Sequence, residues 1–486
     1  MLELPENLKS GEVACLFPVI AETGKEQRAS SIFLSVLSAV PQFAAALLGQ
    51  IEQKVGKRSS VDTFTEIVFK SGEAAGKRNR PDGMIVLSNG KRKWCCLIES
   101  KIGNNSLEPE QIERYLGLAR ENNVDAVLTI SNAFAAVPTH HPVNVPRNLL
   151  RLTSLYHLSW RGILTEALLI HEESGDLDPE QAFLLREFIR FFTHDSAGVT
   201  GFTSMPKEWS TTIEKIQAGG SVTKTDGEII VGAWHQEIRD LSLILSRIIS
   251  CRVTTKISRA HHNDPEKRCA DDTKQLCENG ILNADFLVPN TASPISVVAD
   301  LGARSLRISM CVDAPKDKAK NVSRIKWMLR QLREVEIGEV YVAAIWASSS
   351  KKTVLPLKDL KENPAKLEEG SSANQIRAFE VTLTSGSARR FSGVRTFIEE
   401  IELLAPQFYE AVGQHLESWT PSPPKPKHSI ASVEEVPEKK KDTSSNTEIK
   451  NVSEKEGAGN AHTDLLDIPP FLTRLLHSDR RDPSGQ

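Results

Sequence analysis

The sequence predicts a chain of the α/β (α+β) class: a central mixed sheet flanked by helices, a second α/β domain and a disordered C-terminal tail. Three observations lead there. Asn89-Gly90 lies between two apolar runs, the strongest short-range sign of a hairpin. Short apolar runs alternate with segments of helical spacing along most of the 486 residues, too many for one ordinary core. From Pro421 to His462 the chain turns to proline, lysine, glutamate and serine and cannot bury enough apolar surface to fold. The resulting divisions are residues 1–135 for a first domain, 136–220 for a helical cap or linker, 221–420 for a second domain of unassigned role, 421–462 for a disordered linker and 463–486 for a docking peptide and tail.

The apolar stretch from Ile32 to Ile51 is long enough to raise the question of a membrane span. Pro41, Gln42, Gly49 and Gln50 interrupt it, which suits two buried helical pieces and no membrane. Gly83 to Ser88 forms a strand that returns through Asn89-Gly90 into a second strand carrying Glu99 and Lys101. Residues two apart share a face, so Glu99 and Lys101 project together with Cys95 and Leu97 on the same side. A two-residue loop sets Asp82 opposite Leu97 and a four-residue loop sets it opposite Glu99. Either way Asp82 and Glu99 share that face.

Ser106 to Pro109 carry helix-start signals, and in the helix that follows Gln111 and Tyr115 lie one turn apart beside an apolar stripe of Ile112, Leu116 and Ala119. Val124 to Ser131 supplies the last strand of this core. Residues 138–147 are proline-rich and irregular, Trp160 to His171 and Pro179 to Thr193 are helical, and 198–220 reads as a connection. The second domain shows a helix from His235 to Cys251 and strands at Ile281 to Val288, Ile295 to Leu301, Leu306 to Val312 and Val340 to Trp346. Between the last two lies an amphipathic helix, Arg324 to Arg333, with Ile325, Met328, Leu329 and Leu332 on one face and a basic face read as solvated. Asp285 and Asp300 fall in strands without a following Glu-x-Lys, so no second active site is expected there. Phe397 to Trp419 makes the final helix, and Asp464 to Leu476 gathers apolar residues in the manner of a short helix that docks on a protein partner.

Two carboxylates beside a lysine suit a hard divalent cation, because Mg²⁺ takes oxygen ligands, retains waters and needs only one or two protein carboxylates plus phosphate. Asp82 and Glu99 supply the carboxylates and the Ser100 carbonyl a further oxygen, while Lys101 would hold an attacking water or stabilise charge growing on a phosphate.

In their order, Pro81-Asp82-Gly83, Glu99-Ser100-Lys101 and Gln111-xxx-Tyr115 resemble the PD-(D/E)xK nuclease superfamily, and the last spacing is similar to its RecB-like branch, over about residues 20–135. The resemblance implies a restriction-endonuclease-like core. Mg²⁺, with Mn²⁺ able to substitute, would be held by Asp82 and Glu99; Lys101 would be catalytic, and Gln111 and Tyr115 would orient the lysine, the metal water or the nucleic-acid backbone. It also implies an upstream acid, for which Glu66 is the first candidate and Glu26 the second. The function so implied is hydrolysis of phosphodiester bonds, with DNA the expected substrate. Its alternative is a catalytically silent nuclease-fold adaptor for nucleic acid or a protein.

Charge supports a polyanionic substrate locally: the whole chain carries −3, yet Lys70, Lys77, Arg78, Arg80, Lys91, Arg92, Lys93 and Lys101 face only Glu73, Asp82 and Glu99 over residues 70–103. Trp94, at a strand start, is assigned to core or edge rather than to base stacking. Seven cysteines without regular spacing and no cleavable leader point to a reducing cytoplasm. Cys269 and Cys277 near His261-His262 match no standard zinc spacing.

Overall fold

The computed structural model describes residues 7–13, 16, 24–70, 80–173, 177–347, 349–369, 374–385 and 387–421. Glu73, Lys77 and Arg78 of the expected basic rim, the linker from 422 onward and the 464–476 docking peptide lie outside the described residues.

The first layer is built from β1 (Leu8–Val13), α1 (Lys25–Ala39), α2 (Pro41–Gln50), β2 (Ser59–Phe69), β3 (Gly83–Asn89), β4 (Arg92–Ser100), α3 (Pro109–Glu121), β5 (Ala126–Ser131), β6 (Ser154–Ser159), α4 (Trp160–Glu172) and α5 (Pro179–Thr193). Its six strands lie in sequence order, antiparallel from β1 to β4 and parallel from β4 through β6. The sheet is therefore mixed, and helices cover both faces. On one face α1, α2, α4 and α5 bury Phe33, Phe43, Trp160, Phe188 and Phe192 against Ile85, Cys96, Ile98 and Leu128. On the other, α3 lays Ile112, Leu116 and Ala119 against Met84, Leu97 and Val127. Trp94 is in the first of these cores, as its strand-start position predicted.

The break at Pro41 is real. α1 and α2 meet at 110°, and no single helix among the described residues is long and apolar enough to cross a membrane. Ser131 does not end the sheet, because β6 adds a further parallel strand beside β5. Its six residues run straight into α4, and a parallel pairing leaves no turn signal in the chain.

The second layer comprises α6 (Glu208–Gln217), α7 (Lys224–Ile249), β7 (Thr254–Thr255), α8 (Arg259–Asn263), α9 (Pro265–Asn279), β8 (Ile281–Leu287), β9 (Ile295–Asp300), β10 (Ser305–Asp313), α10 (Asn321–Gln331), β11 (Glu339–Trp346), β12 (Lys352–Pro356), α11 (Leu357–Glu362), β13 (Ile376–Thr384), α12 (Ala388–Ser392) and α13 (Val394–Ala411). Its seven strands run β12–β11–β13–β10–β9–β8–β7, every neighbouring pair antiparallel. Trp209, Trp234, Phe286, Phe379 and Phe397 centre its core. Trp209 sits on α6, inside the stretch read as a mere connection, and donates its indole N–H to the Phe391 carbonyl at 2.9 Å. The two layers belong to one compact unit ending at Ser422. α4 meets α7 through Arg161 and Asp240 at 3.0 Å and through Arg247 donating to Thr165 Oγ1 at 2.9 Å.

Gly83, which opens β3, packs tightly against both β2 and α1. A Cβ there would lie 2.7 Å from the Phe64 carbonyl oxygen of β2 and 2.5 Å from a Leu34 methyl of α1. Because one obstacle is backbone, Gly83→Ala is expected to destabilise the protein by about 1–3 kcal/mol, as overpacking does, and to lower its melting temperature. An unchanged melting curve would show that β2 and β3 can separate freely at this point.

Candidate active site

β3 and β4 pair so that Asn89 faces Arg92, Gly83 faces Ile98, and Asp82, one residue earlier, comes level with Glu99. The loop is two residues, Gly90 and Lys91, with the positive φ of 63° on Gly90. This even loop keeps Asp82 and Glu99 on one face. Glu99 pairs onward with Thr129 of β5, and Thr129 with His157 of β6, so one polar row crosses the sheet at its carboxyl end.

Glu99 is 2% exposed and Lys101 16%, and the ammonium lies 2.6 Å from Glu99 Oε1. The other oxygen, Glu99 Oε2, is buried without a hydrogen-bond partner. Asp82 Oδ2 accepts from the Ser100 backbone N–H at 2.8 Å and from the Ser100 hydroxyl at 3.0 Å. Ser100 is itself tied to α1, its hydroxyl 2.7 Å from that of Ser30. The Lys101 backbone is held at both ends: its N–H donates to Ile130 at 2.8 Å, and its carbonyl accepts from the Trp160 indole at 2.9 Å. Rigid elements therefore fix both the carboxylates and the lysine.

Burial pushes the Asp82 carboxyl up to about 6, the Ser100 hydrogen bonds and Lys101 only partly offsetting it. Burial, and then repulsion from Asp82, push Glu99 up to about 7 despite Lys101. For Lys101, burial works against the charged form, but Glu99, Glu26 and Asp82 outweigh it and leave the ammonium more basic than usual. The site thus holds one firm cation and two carboxyl groups that shed their protons reluctantly.

Tyr115 lies buried under this corner. Its hydroxyl donates to the Arg80 carbonyl at 2.9 Å, just before Pro81-Asp82, and accepts from Gln111 Nε2 at 3.3 Å. The Glu99 carboxylate also lies within reach of this hydroxyl, and burial, then Glu99 and Asp82, hold the phenol in its neutral form. Gln111 and Tyr115 therefore brace the turn that presents Asp82.

The two upstream acids part company. Glu26, in the first turn of α1, places Oε2 3.7 Å from Lys101 and uses Oε1 to accept from Asn105 at 2.8 Å and from the Ile102 N–H at 3.4 Å. Glu66 adopts φ 51°, where β1 and β2 slip register, and is 42% exposed. Its carboxylate accepts from Gln27 at 3.0 Å and lies 3.9 Å from Arg80. The bulge sends both Phe64 and Ile67, three apart, into the α3-side core. A carboxylate that strand alternation would have put beside Phe64 is thereby turned toward α1.

The polar row adds residues the sequence reading missed. Thr129 Oγ1 lies 2.9 Å from His157 Nδ1 and 2.7 Å from His141 Nε2. Burial lowers His157 to about 3 and His141 to about 4, so both imidazoles are neutral around pH 7. No local pattern announces them, because the row exists only across a parallel pairing.

The described members of the expected basic rim fall in three places, with Lys70 exposed just past the end of β2. Lys91, Arg92 and Lys93 are exposed at the hairpin tip, and seven strand residues at 3.3 Å each set them roughly 20 Å from the carboxylates. Arg80 and Lys101 remain at the site. Among the described residues no three histidine, cysteine, aspartate or glutamate side chains form a metal-binding group, the pair of cysteines near His261-His262 included. The residues present nonetheless fit a hard cation. Glu99 Oε2 is buried and unpartnered, Asp82 shares its face, and such a cation needs few protein carboxylates. No family model matches the chain, and no curated protein or solved structure matches it.

Proposed function

We propose that the protein is a divalent-metal-dependent phosphodiesterase acting on nucleic acid, with DNA the favoured substrate and a restriction-endonuclease-like first domain as its scaffold. The observation that carries this reading is the buried, unpartnered Glu99 Oε2 beside a carboxylate in register with it and an ammonium 2.6 Å from its other oxygen. Asp82, Glu99 and the Ser100 carbonyl would hold Mg²⁺ or Mn²⁺. When bound, such an ion supplies Lewis acidity and a water of lowered pKa. Lys101 presents a fixed positive charge to the phosphate oxygens or the attacking water, Tyr115 and Gln111 hold the turn bearing Asp82, and Glu26 keeps Lys101 charged and aimed.

The test is incubation of the purified chain with linear, circular and single-stranded DNA and with RNA, with Mn²⁺ or Mg²⁺, beside Glu99→Ala. Cleavage by the parent and none by the variant is expected; equal activity in both would end the proposal. A second reading, a nuclease-fold adaptor that does not cut, draws support from the same short ion pair, since Lys101 already occupies one Glu99 oxygen. Calorimetric titration with Mn²⁺ separates the two, because an adaptor need not bind metal.

The geometry also ranks the upstream acids. Glu26→Gln is expected to slow cleavage by about tenfold and to move the alkaline limb of the pH–rate profile to lower pH, as Lys101 loses a neighbouring anion. Glu66→Gln is expected to do neither. The reverse ranking would restore Glu66 as the upstream carboxylate.

A further inference from the structure

α10 carries a basic face, of which the structure withdraws one member from solvent and leaves the others exposed. Between Lys316 and Arg333 the chain has seven lysines and arginines against Asp317 alone. Arg324, which the sequence places on the basic face, is buried and spent on backbone. Its guanidinium donates to the Ile376 carbonyl at 2.5 Å and to the Lys318 carbonyl at 2.7 Å, clamping the loop before α10 to β13. Ile325, Met328 and Leu332 are buried in the second core.

What this anchoring leaves outside is a groove of about 570 Å³ lined by Lys318, Ser323, Lys326, Leu329, Arg330 and Arg333. Lys326, Arg330 and Arg333 are exposed and take part in no ion pair among the described residues. Among the described residues Lys318 is paired with its neighbour Asp317, at 3.6 Å.

We propose that this groove binds the phosphodiester backbone of nucleic acid. Three cations without acidic partners repel one another, an arrangement relieved by a polyanion. Lys326 and Arg330 lie one turn apart on α10, about 6 Å along its axis, and Arg333 follows just past the helix end at the same groove. Phosphates of one duplex strand recur every ~3.4 Å along the duplex axis, so the three cations can each meet a phosphate of one strand. Arginine adds bidentate phosphate contacts, and long aliphatic stems beside Leu329 allow the charged heads to stand clear. The inference rests on the phosphodiesterase reading for its choice of polyanion, and it assigns the second domain the task of gripping substrate away from the candidate catalytic carboxylates.

The test measures binding of the full chain to a fluorescent 30-base-pair duplex in EDTA across a salt series. It compares the parent with Lys326→Glu/Arg330→Glu/Arg333→Glu and, as a control for general charge, Lys91→Glu/Arg92→Glu/Lys93→Glu at the hairpin tip. All six positions are exposed, and far-UV melts confirm folding. The α10 variant is expected to bind at least about tenfold more weakly at low salt, with a slope of log affinity against log salt shallower by up to ~2.7, about 0.9 per lost phosphate contact. The hairpin control is expected to lose less. Equal affinity and slope in parent and α10 variant would overturn the proposal. So would absence of duplex binding by the parent, or binding of poly-glutamate as tight as the duplex and equally sensitive to the substitutions, which would assign the groove to acidic peptides. Failure of the catalytic reading looks different: binding would depend on α10 while no metal supports cleavage.

Discussion

Glu99→Gln is expected to reduce metal-dependent cleavage by about a thousandfold or more while making the metal-free protein more stable at pH 8. The first half follows from losing a carboxylate oxygen on which a cation would sit. The second follows from linkage. Glu99 and Asp82 have folded-state values of about 7 and about 6, above their ordinary values of 4.5 and 3.8. Below about pH 3 both are protonated whether the chain is folded or not. Between there and their folded-state values the native protein holds more protons, so stability falls as pH rises and is lost through about pH 7. A shift of this size in a buried group corresponds to roughly 3 kcal/mol, of which an amide recovers about 1–2. The variant should therefore melt higher than the parent at pH 8 and alike at pH 4.5, and Mn²⁺ should raise the melting temperature of the parent but not of the variant. Parallel melting curves across pH would show that Glu99 carries no excess proton in the folded state. Activity should rise with pH across the same window, because both carboxyl groups must shed their protons before a cation binds.

Lys101→Ala is expected to lower kcat by about 10² to 10⁴ while leaving Mn²⁺ affinity within a few-fold of the parent. Two opposing effects set the affinity. Removing the ammonium takes away a competitor for Glu99 Oε1, 2.6 Å from it, and also takes away a cation that favours the ionised carboxylates. Near pH 8 these nearly cancel; near pH 6 the second dominates, so the variant should bind metal more weakly there. Lys101→Arg keeps the charge but not the compact donor, and should restore metal binding at pH 6 without restoring the rate. Undiminished cleavage by the alanine variant, measured with enough enzyme to detect a thousandfold loss, would remove Lys101 from the chemistry.

The mutual placement of Asp82, Glu99 and Lys101 was legible because it depends on two short-range rules: alternation along a strand and an even hairpin loop. Of the two loops the sequence allows, the structure takes the register of the four-residue one, with Asp82 level with Glu99; Asn89 and Arg92 pair as well, so the turn narrows to Gly90 and Lys91. The helix bearing Gln111 and Tyr115, the break at Pro41 and the limits of α5 were legible for the same reason, each marked by proline or by apolar spacing inside a few turns.

What the linear chain alone determined is thus local: which residues form hairpin and helix, and that two acids and a lysine share one face. Tertiary structure decided everything that requires a second element to arrive. It set Glu26 rather than Glu66 near Lys101, through a bulge whose left-handed residue no propensity forecasts. It brought β6 in parallel beside β5, aligning Thr129 and His157 with Glu99, and it buried Arg324 while leaving its basic neighbours on a groove. The physical reason is range: hydrogen bonds and alternation act over a few residues and are written in the chain, whereas burial, charge coupling and parallel pairing depend on neighbours tens to hundreds of residues away.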